Sequence, residues 1–226
     1  MRFDRKQLLI YAVTDKAWTG KLSLEEQVEE ALKGGATMVQ LREKELDKGN
    51  FEEVLRTACA IRKITEKYNV PLIIDDNLEL ALACHADGLH VGQDDMDAGL
   101  ARRLLGPDRI LGVTAKTVEQ ARKACAQGAD YLGSGAVFGT TTKSDARPMT
   151  METLRAICDC SDIPVVAIGG INLGNIGLLE GSHVAGAAIV SGIFAAQDIC
   201  LTTGRLKEAM IKICSSSRNF QKTVDN

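Results

Sequence analysis

The sequence predicts an α/β chain folded as a (β/α)8 TIM barrel, and three observations point there. Eight short β-rich runs follow one another along the 226 residues, separated by segments with apolar spacing near 3.6. The unusual polar residues fall where those runs end. No linker, Pro-rich stretch or low-complexity segment divides the chain, so residues 1–226 read as one barrel domain with a polar tail from about residue 215.

The runs lie at about 8–13, 37–42, 70–75, 88–91, 109–114, 130–137, 164–168 and 186–191. Between the first two, Leu24, Val28, Ala31 and Leu32 share one helical face, with Glu25, Glu26, Glu29 and Glu30 largely on the other. Ser23 can cap that helix and Gly34-Gly35 stops it. Relatives of Gly-Ala-Asp recur before strands, at Gly34-Gly35-Ala36, Ala86-Asp87-Gly88 and Gly128-Ala129-Asp130, as a repeated helix-to-strand turn would. A closing helix is expected over about 205–213. A doubly wound open sheet also alternates strands and helices. The strand count favours the barrel, and so do the strand ends. Gln40, Arg42 and Lys44 follow run two, Asp75 and Asp76 run three, and Asp95 run four. Thr114 follows run five, Thr140 to Lys143 run six, Gly169-Gly170 run seven and Ser191 run eight. A barrel gathers all of those ends on one face, where active sites of this fold are built.

Composition excludes several classes of function. With 45% hydrophobic and 25% charged residues the chain can bury a sizeable core. Its 27 basic and 30 acidic residues sum to −3, which leaves no electrostatic footprint for nucleic acid. The apolar run Leu8 to Val13 is too brief for a signal-peptide core. Val184 to Ala196 falls short of the ~18 apolar residues of a membrane span. No membrane partner and a cytoplasmic location are therefore expected. Seven cysteines, an odd number without a C-x-x-C spacing, read as reduced thiols rather than a disulfide framework or a zinc site.

Asp75-Asp76-Asn77 and Gly92-Gln93-Asp94-Asp95 place carboxylates directly after two strands. Too few for a calcium cage, they suit Mg²⁺, which keeps several waters and completes its shell with substrate phosphate oxygens. In Gln40-Leu41-Arg42-Glu43-Lys44 the period of two sends Gln40, Arg42 and Lys44 to one side, the barrel lumen. A planar guanidinium fork beside an ammonium fits a diphosphate. The loop Gly139 to Lys143, with three threonines and a lysine, reads on its own as a solvent-exposed polar loop. Ile168-Gly169-Gly170-Ile171 and Ile189-Val190-Ser191-Gly192 occupy the loops after strands seven and eight, the usual barrel position for a phosphate. His90 reads as a packed core or lumen residue rather than a general base. Neither a Ser-His-Asp grouping nor a nucleophile elbow is visible, which suits chemistry in which a good leaving group departs with metal help.

The ordered set Gln40 to Lys44, Ile74-Asp75-Asp76, Gly88 to Asp95, Leu111-Gly112-Val113-Thr114, Thr140 to Lys143 and Ile168 to Ile171 resembles the thiamine phosphate synthase family. The resemblance runs from about Leu9 to Ala195. It implies a transferase that joins 4-amino-2-methyl-5-(diphosphooxymethyl)pyrimidine to a thiazole phosphate, or its 2-carboxylated tautomer, and releases pyrophosphate. Carried over position by position, Gln40, Leu41, Arg42, Glu43, Lys44, Asp75, Thr114 and Lys143 match the pyrimidine diphosphate grip. Arg42, Lys44 and Lys143 are the groups that offset the departing charge. Asp76 and Asp95 match the Mg²⁺ ligands, and Thr140, Thr141, Thr142, Gly170, Val190 and Ser191 the thiazole phosphate pocket. The partners implied are phosphorylated small molecules; the oligomeric state is left open, a homo-oligomer included.

Two positions depart from the commonest family pattern. Thr114 stands where many members carry Ser and keeps the hydroxyl. Asp75 stands where many carry Asn and replaces an amide that can donate with an acceptor-only carboxylate. Because a carboxylate beside an anion is costly unless a cation offsets it, recruitment of Asp75 to the metal or to a water on it is favoured over an unpaired role. Retention of Asp76, Asp95 and Thr140 to Lys143 argues against a thiazole tautomerase of the sister family. A non-catalytic phosphate-binding barrel is the remaining alternative.

Overall fold

The computed structural model describes residues 3–44, 46, 49–139 and 149–224, without the side chains of 217–224. Its centre is a closed parallel barrel in which β1 (Ile10–Val13), β2 (Met38–Leu41), β3 (Leu72–Asp75), β4 (Gly88–Val91), β5 (Ile110–Thr114), β6 (Tyr131–Gly135), β7 (Val165–Ile168) and β8 (Gly186–Ile189) pair in sequence order, with β8 returning to β1. Around it lie α1 (Leu24–Lys33), α2 (Phe51–Lys67), α3 (Leu78–Ala83), α4 (Ala98–Leu105), α5 (Val118–Ala126), α6 (Met151–Cys160), α7 (Ser191–Phe194) and α8 (Ile199–Val224). Among the described residues no helix is long and apolar enough to cross a membrane.

Strand periodicity divides the apolar residues into two cores. Ile10, Ala12, Val39, Leu41, Leu72, Ile74, Leu89 and Leu111 point outward and pack under the helices. Tyr11, Val13, Met38, Ile73, Ile110, Tyr131 and Val166 point inward and fill the lumen. The Tyr131 ring fits because β5 contributes Gly112 opposite it: a Cβ there would be driven into the Tyr131 phenol and the His90 ring. Gly112→Ala is therefore expected to cost about 1–3 kcal/mol by overpacking, a fall in melting temperature of roughly 2–12 °C. An unchanged thermal melt would show that the phenol does not occupy this space.

The recurring turn has a physical basis at the end of the barrel away from the strand C-termini. Asp87 Oδ2 accepts the Leu72 N–H at 2.8 Å, and the two carboxylate oxygens of Asp87 are gripped by the two terminal nitrogens of Arg62. Asp130 Oδ2 likewise accepts the Leu111 N–H at 2.7 Å and pairs with Arg102 at 2.6 Å. Thr37 does the same work for the Ile10 N–H. The residue two before each of these, Gly35, His85 or Gly128, takes the left-handed conformation that ends a helix. Ser23 caps α1 in a reciprocal box with Glu26, as its position predicts.

Two expectations about helices change. The crossover after β7 is a single 3₁₀ turn, Ile176–Leu179, because Gly174, Gly177 and Gly181 leave too little helix propensity for more. The closing helix begins at Ile199, where Asp198 Oδ1 accepts the Leu201 N–H, and runs to Val224 through the stretch expected as a tail from 215. Once nucleated on the barrel, a helix extends through polar sequence at little cost. All seven cysteines are free, and burial pushes the Cys84 thiol up to about 11.

Candidate active site

The C-terminal ends of the strands open into one cavity of about 200 Å³. Gln40, Arg42, Asp75, Asp76, Asp95, Thr114, Gly170, Val190 and Ser191 all line it, brought together from β2, β3, β4, β5, β7 and β8 or the loops that follow them. Thr140, Thr141, Thr142 and Lys143 lie outside the described residues. The residues leading to them are tied to the β7 loop, with Val137 N–H donating to Ile168 O at 3.0 Å and Phe138 N–H to Gly169 O at 3.1 Å.

A chain of hydrogen bonds crosses the cavity floor. Gln40 Nε2 donates to the Tyr11 hydroxyl at 2.7 Å, and that oxygen lies 2.8 Å from the Tyr131 hydroxyl. His90 sits in the lumen with Nδ1 3.0 Å from Tyr131 Oη and Nε2 3.0 Å from Thr114 Oγ1. Burial is the main cause that raises both phenols well above the ordinary tyrosine range, and the nearby Asp75 carboxylate adds to it. Both phenols therefore stay protonated and add no charge to the polar floor.

At the rim, the cations are held by carboxylates. Asp15, directly after β1, is buried, and its Oδ2 accepts from Lys44 Nζ at 2.9 Å and Arg42 Nη1 at 3.3 Å. Burial alone would raise the Asp15 carboxyl, but the Ala17 N–H, the Lys44 bond and the charges of Lys44 and Arg42 outweigh it and hold the group below the usual range. On its other side Arg42 Nε lies 3.5 Å from Asp75 Oδ2. Asp75 thus has a cation beside it that the local sequence pattern does not disclose.

Because β2 ends at Leu41, alternation carries only as far as Gln40, and Arg42 reaches the cavity from the following loop. Three residues of the expected grip do not line the cavity. Leu41 is buried under the helices, Glu43 pairs with Lys16, and Lys44 sits half-exposed beside Asp15. In the other direction, Gln93 and Lys116 also line the cavity, while Asp15 and Tyr131 act from behind it through Arg42, Lys44 and the hydrogen-bonded floor. Thr14-Asp15 follow β1 as Asp75-Asp76 close β3, and Lys116 lies two residues past Thr114, so both had a positional signal. Tyr131 had none, since its partner Tyr11 is 120 residues away.

Asp76 directly follows β3 with φ +58°, its N–H donating to His90 O at 2.8 Å. Asp95 lies after β4, where its Oδ2 accepts the Gly92 N–H at 2.9 Å. Together with Asp94 they give the cavity a wall of carboxylate oxygens. Among the described residues no group of three or more His, Cys, Asp or Glu side chains could hold a metal by itself. An all-oxygen donor set of this kind suits a hard cation that keeps waters and not zinc or copper.

Opposite, Gly169 and Gly170 have φ of +107° and +66°, and Gly170 O accepts from the side-chain amides of Asn172 and Asn175. A Cβ on Gly170 would strike the carbonyl oxygens of Gly139 and Phe138, so any substitution there also displaces the β6 loop. Val190 and Ser191 begin α7 beside it.

The family model described as thiamine monophosphate synthase matches residues 10–193, from β1 into α7. The thiamine-phosphate synthase of Clostridium botulinum is 48% identical over 204 residues, 90% of this chain and 94% of that protein. That of Clostridium tetani is 45% identical over 190 residues, 84% of this chain and 90% of that protein. Among solved structures, thiamine phosphate pyrophosphorylase from Pyrococcus furiosus superposes with a TM-score of 0.84 at 36% identity, covering 92% of this chain and 98% of that one. A family match spanning the whole barrel, with near-half identity along almost the full length of relatives, leaves one assignment: the chain belongs to the thiamine monophosphate synthase family.

Proposed function

We propose that this transferase joins 4-amino-2-methyl-5-(diphosphooxymethyl)pyrimidine to a thiazole phosphate, or its 2-carboxylated tautomer, to form thiamine phosphate and pyrophosphate. The observation that carries this reading is the convergence in one cavity of a guanidinium, a carboxylate wall and a glycine-flanked helix start. Arg42 and Lys44, with Lys143, grip the diphosphate and offset the charge that develops as it leaves, the largest electrostatic demand of the reaction. Thr114 offers a hydroxyl to the same group. Leu41 and Glu43 have no side-chain route to it and hold the loop instead. Asp76 and Asp95 would hold Mg²⁺, which when bound supplies charge neutralisation to the leaving diphosphate.

The aminopyrimidine can delocalise the positive charge left on its methylene carbon, so departure precedes attack and the thiazole nitrogen captures the cation. Neither a protein nucleophile nor a strong base is required. The floor of Tyr11, Gln40, Tyr131 and His90 places no ionised phenolate beside that carbon. Gly170, Val190 and Ser191, with Thr140 to Thr142, hold the thiazole phosphate through backbone N–H groups and hydroxyls. Free thiols throughout suit the reducing cytoplasm.

Mixing the protein with both phosphorylated substrates and Mg²⁺ is expected to release pyrophosphate in step with thiamine phosphate. Isomerisation of the carboxylated thiazole without pyrophosphate release would instead indicate the sister tautomerase. Binding of either phosphate with no turnover would indicate a non-catalytic barrel.

A further inference from the structure

We propose that Asp15 is a positioning residue that sets the diphosphate grip by holding Arg42 and Lys44 through one carboxylate oxygen. The inference rests on the assignment of those two cations to the diphosphate. Asp15 is not among the residues that line the cavity, so it acts through others. Its two oxygens have separate tasks. Oδ1 accepts the Ala17 N–H at 3.0 Å and caps the 3₁₀ turn Lys16–Trp18, which anchors the carboxylate to the backbone. Oδ2 takes Lys44 Nζ at 2.9 Å and Arg42 Nη1 at 3.3 Å. The neighbouring Thr14 Oγ1 accepts the Arg42 backbone N–H at 3.1 Å, so β1 sets both the main chain and the side chain of Arg42.

The strand ladder does not do this work. β2 stops at Leu41, and the loop that carries Arg42 and Lys44 needs a tether to aim two long side chains, each with large rotamer freedom, at one ligand. A buried anion at a fixed backbone position supplies that tether, and its depressed carboxyl keeps it charged at neutral pH. Arg42 has three side-chain nitrogens: Nη1 turns to Asp15 and Nε to Asp75. The two contacts hold the guanidinium at the cavity wall.

The test uses Asp15→Asn, which keeps the size, and Asp15→Ser, which keeps the helix cap but removes the carboxylate. Each is expected to raise the KM for the pyrimidine diphosphate, and to weaken binding of inorganic pyrophosphate with Mg²⁺, by roughly tenfold, the scale of one lost charge-assisted hydrogen bond. The thiazole phosphate KM should stay within about twofold, and the loss should be less than additive with Lys44→Gln because both changes break the same contact. Equal losses for both substrates, full additivity, or tighter pyrophosphate binding would each overturn the positioning role. Arg42→Ala separates the two levels: if it affects pyrimidine use while both Asp15 variants are silent, only the role of Asp15 fails. If Arg42→Ala leaves pyrimidine KM unchanged, the diphosphate assignment itself fails.

Discussion

Asp95→Ala is expected to lower turnover by roughly 100- to 1000-fold, because losing charge neutralisation at the leaving group removes several kcal/mol at about 1.4 kcal/mol per decade. The fold should survive, since Asp95 is exposed and its bond from the Gly92 N–H is worth only about 1 kcal/mol. Raising Mg²⁺ should recover part of the activity if Asp76 and waters still hold the ion. The matching change at Asp76 should be Asn rather than Ala. With φ at +58°, Asp76 occupies a conformation that Asn tolerates and that costs Ala about 1–2 kcal/mol, so an Ala variant would mix strain with metal loss. Near-normal turnover of Asp95→Ala at low Mg²⁺ would remove the residue from the metal site.

Arg42→Ala should damage both stability and activity, through different neighbours. Its guanidinium lies between Asp15 and Asp75, at 3.3 Å and 3.5 Å, with all three side chains largely buried. Removing it withdraws the charge that offsets both carboxylates and is expected to cost about 3 kcal/mol, the low end for a buried pair that loses one partner, or roughly 6–12 °C in melting temperature. The pyrimidine diphosphate KM should rise roughly 10- to 100-fold as charge-assisted bonds to the ligand disappear. Adding Asp75→Asn should then recover part of the lost stability. In the wild-type background the same Asn change should leave the Mg²⁺ requirement unchanged if Arg42, 3.5 Å away, takes up the carboxylate charge. A cost for Asp75→Asn that is identical with and without Arg42 would show that the two do not interact. A higher Mg²⁺ requirement would return Asp75 to the metal, as the sequence alone suggested.

The contrast at Asp75 shows where sequence reasoning reaches its limit. That Asp75 and Asp76 fall at a strand end, that Tyr11 and Gln40 face inward, and that Ser23 caps a helix are all local facts, settled by a period of two, a period of 3.6 or a hydrogen bond three residues long. The eight strands follow from the same signals, and their number together with the polar residues at their ends favoured the closed barrel that the structure has. Motif order was enough to indicate the family. Partner choice is not local. Asp15 meets Arg42 and Lys44 across 27 and 29 residues, and Tyr11 meets Tyr131 across 120, so these contacts exist only after β1 has paired with β2 and the barrel has closed. Closure also separated the residues of one short motif. Gln40 and Arg42 face the cavity, Leu41 went under the helices, and Glu43 turned to Lys16, because the strand ended one residue before its alternation could carry further.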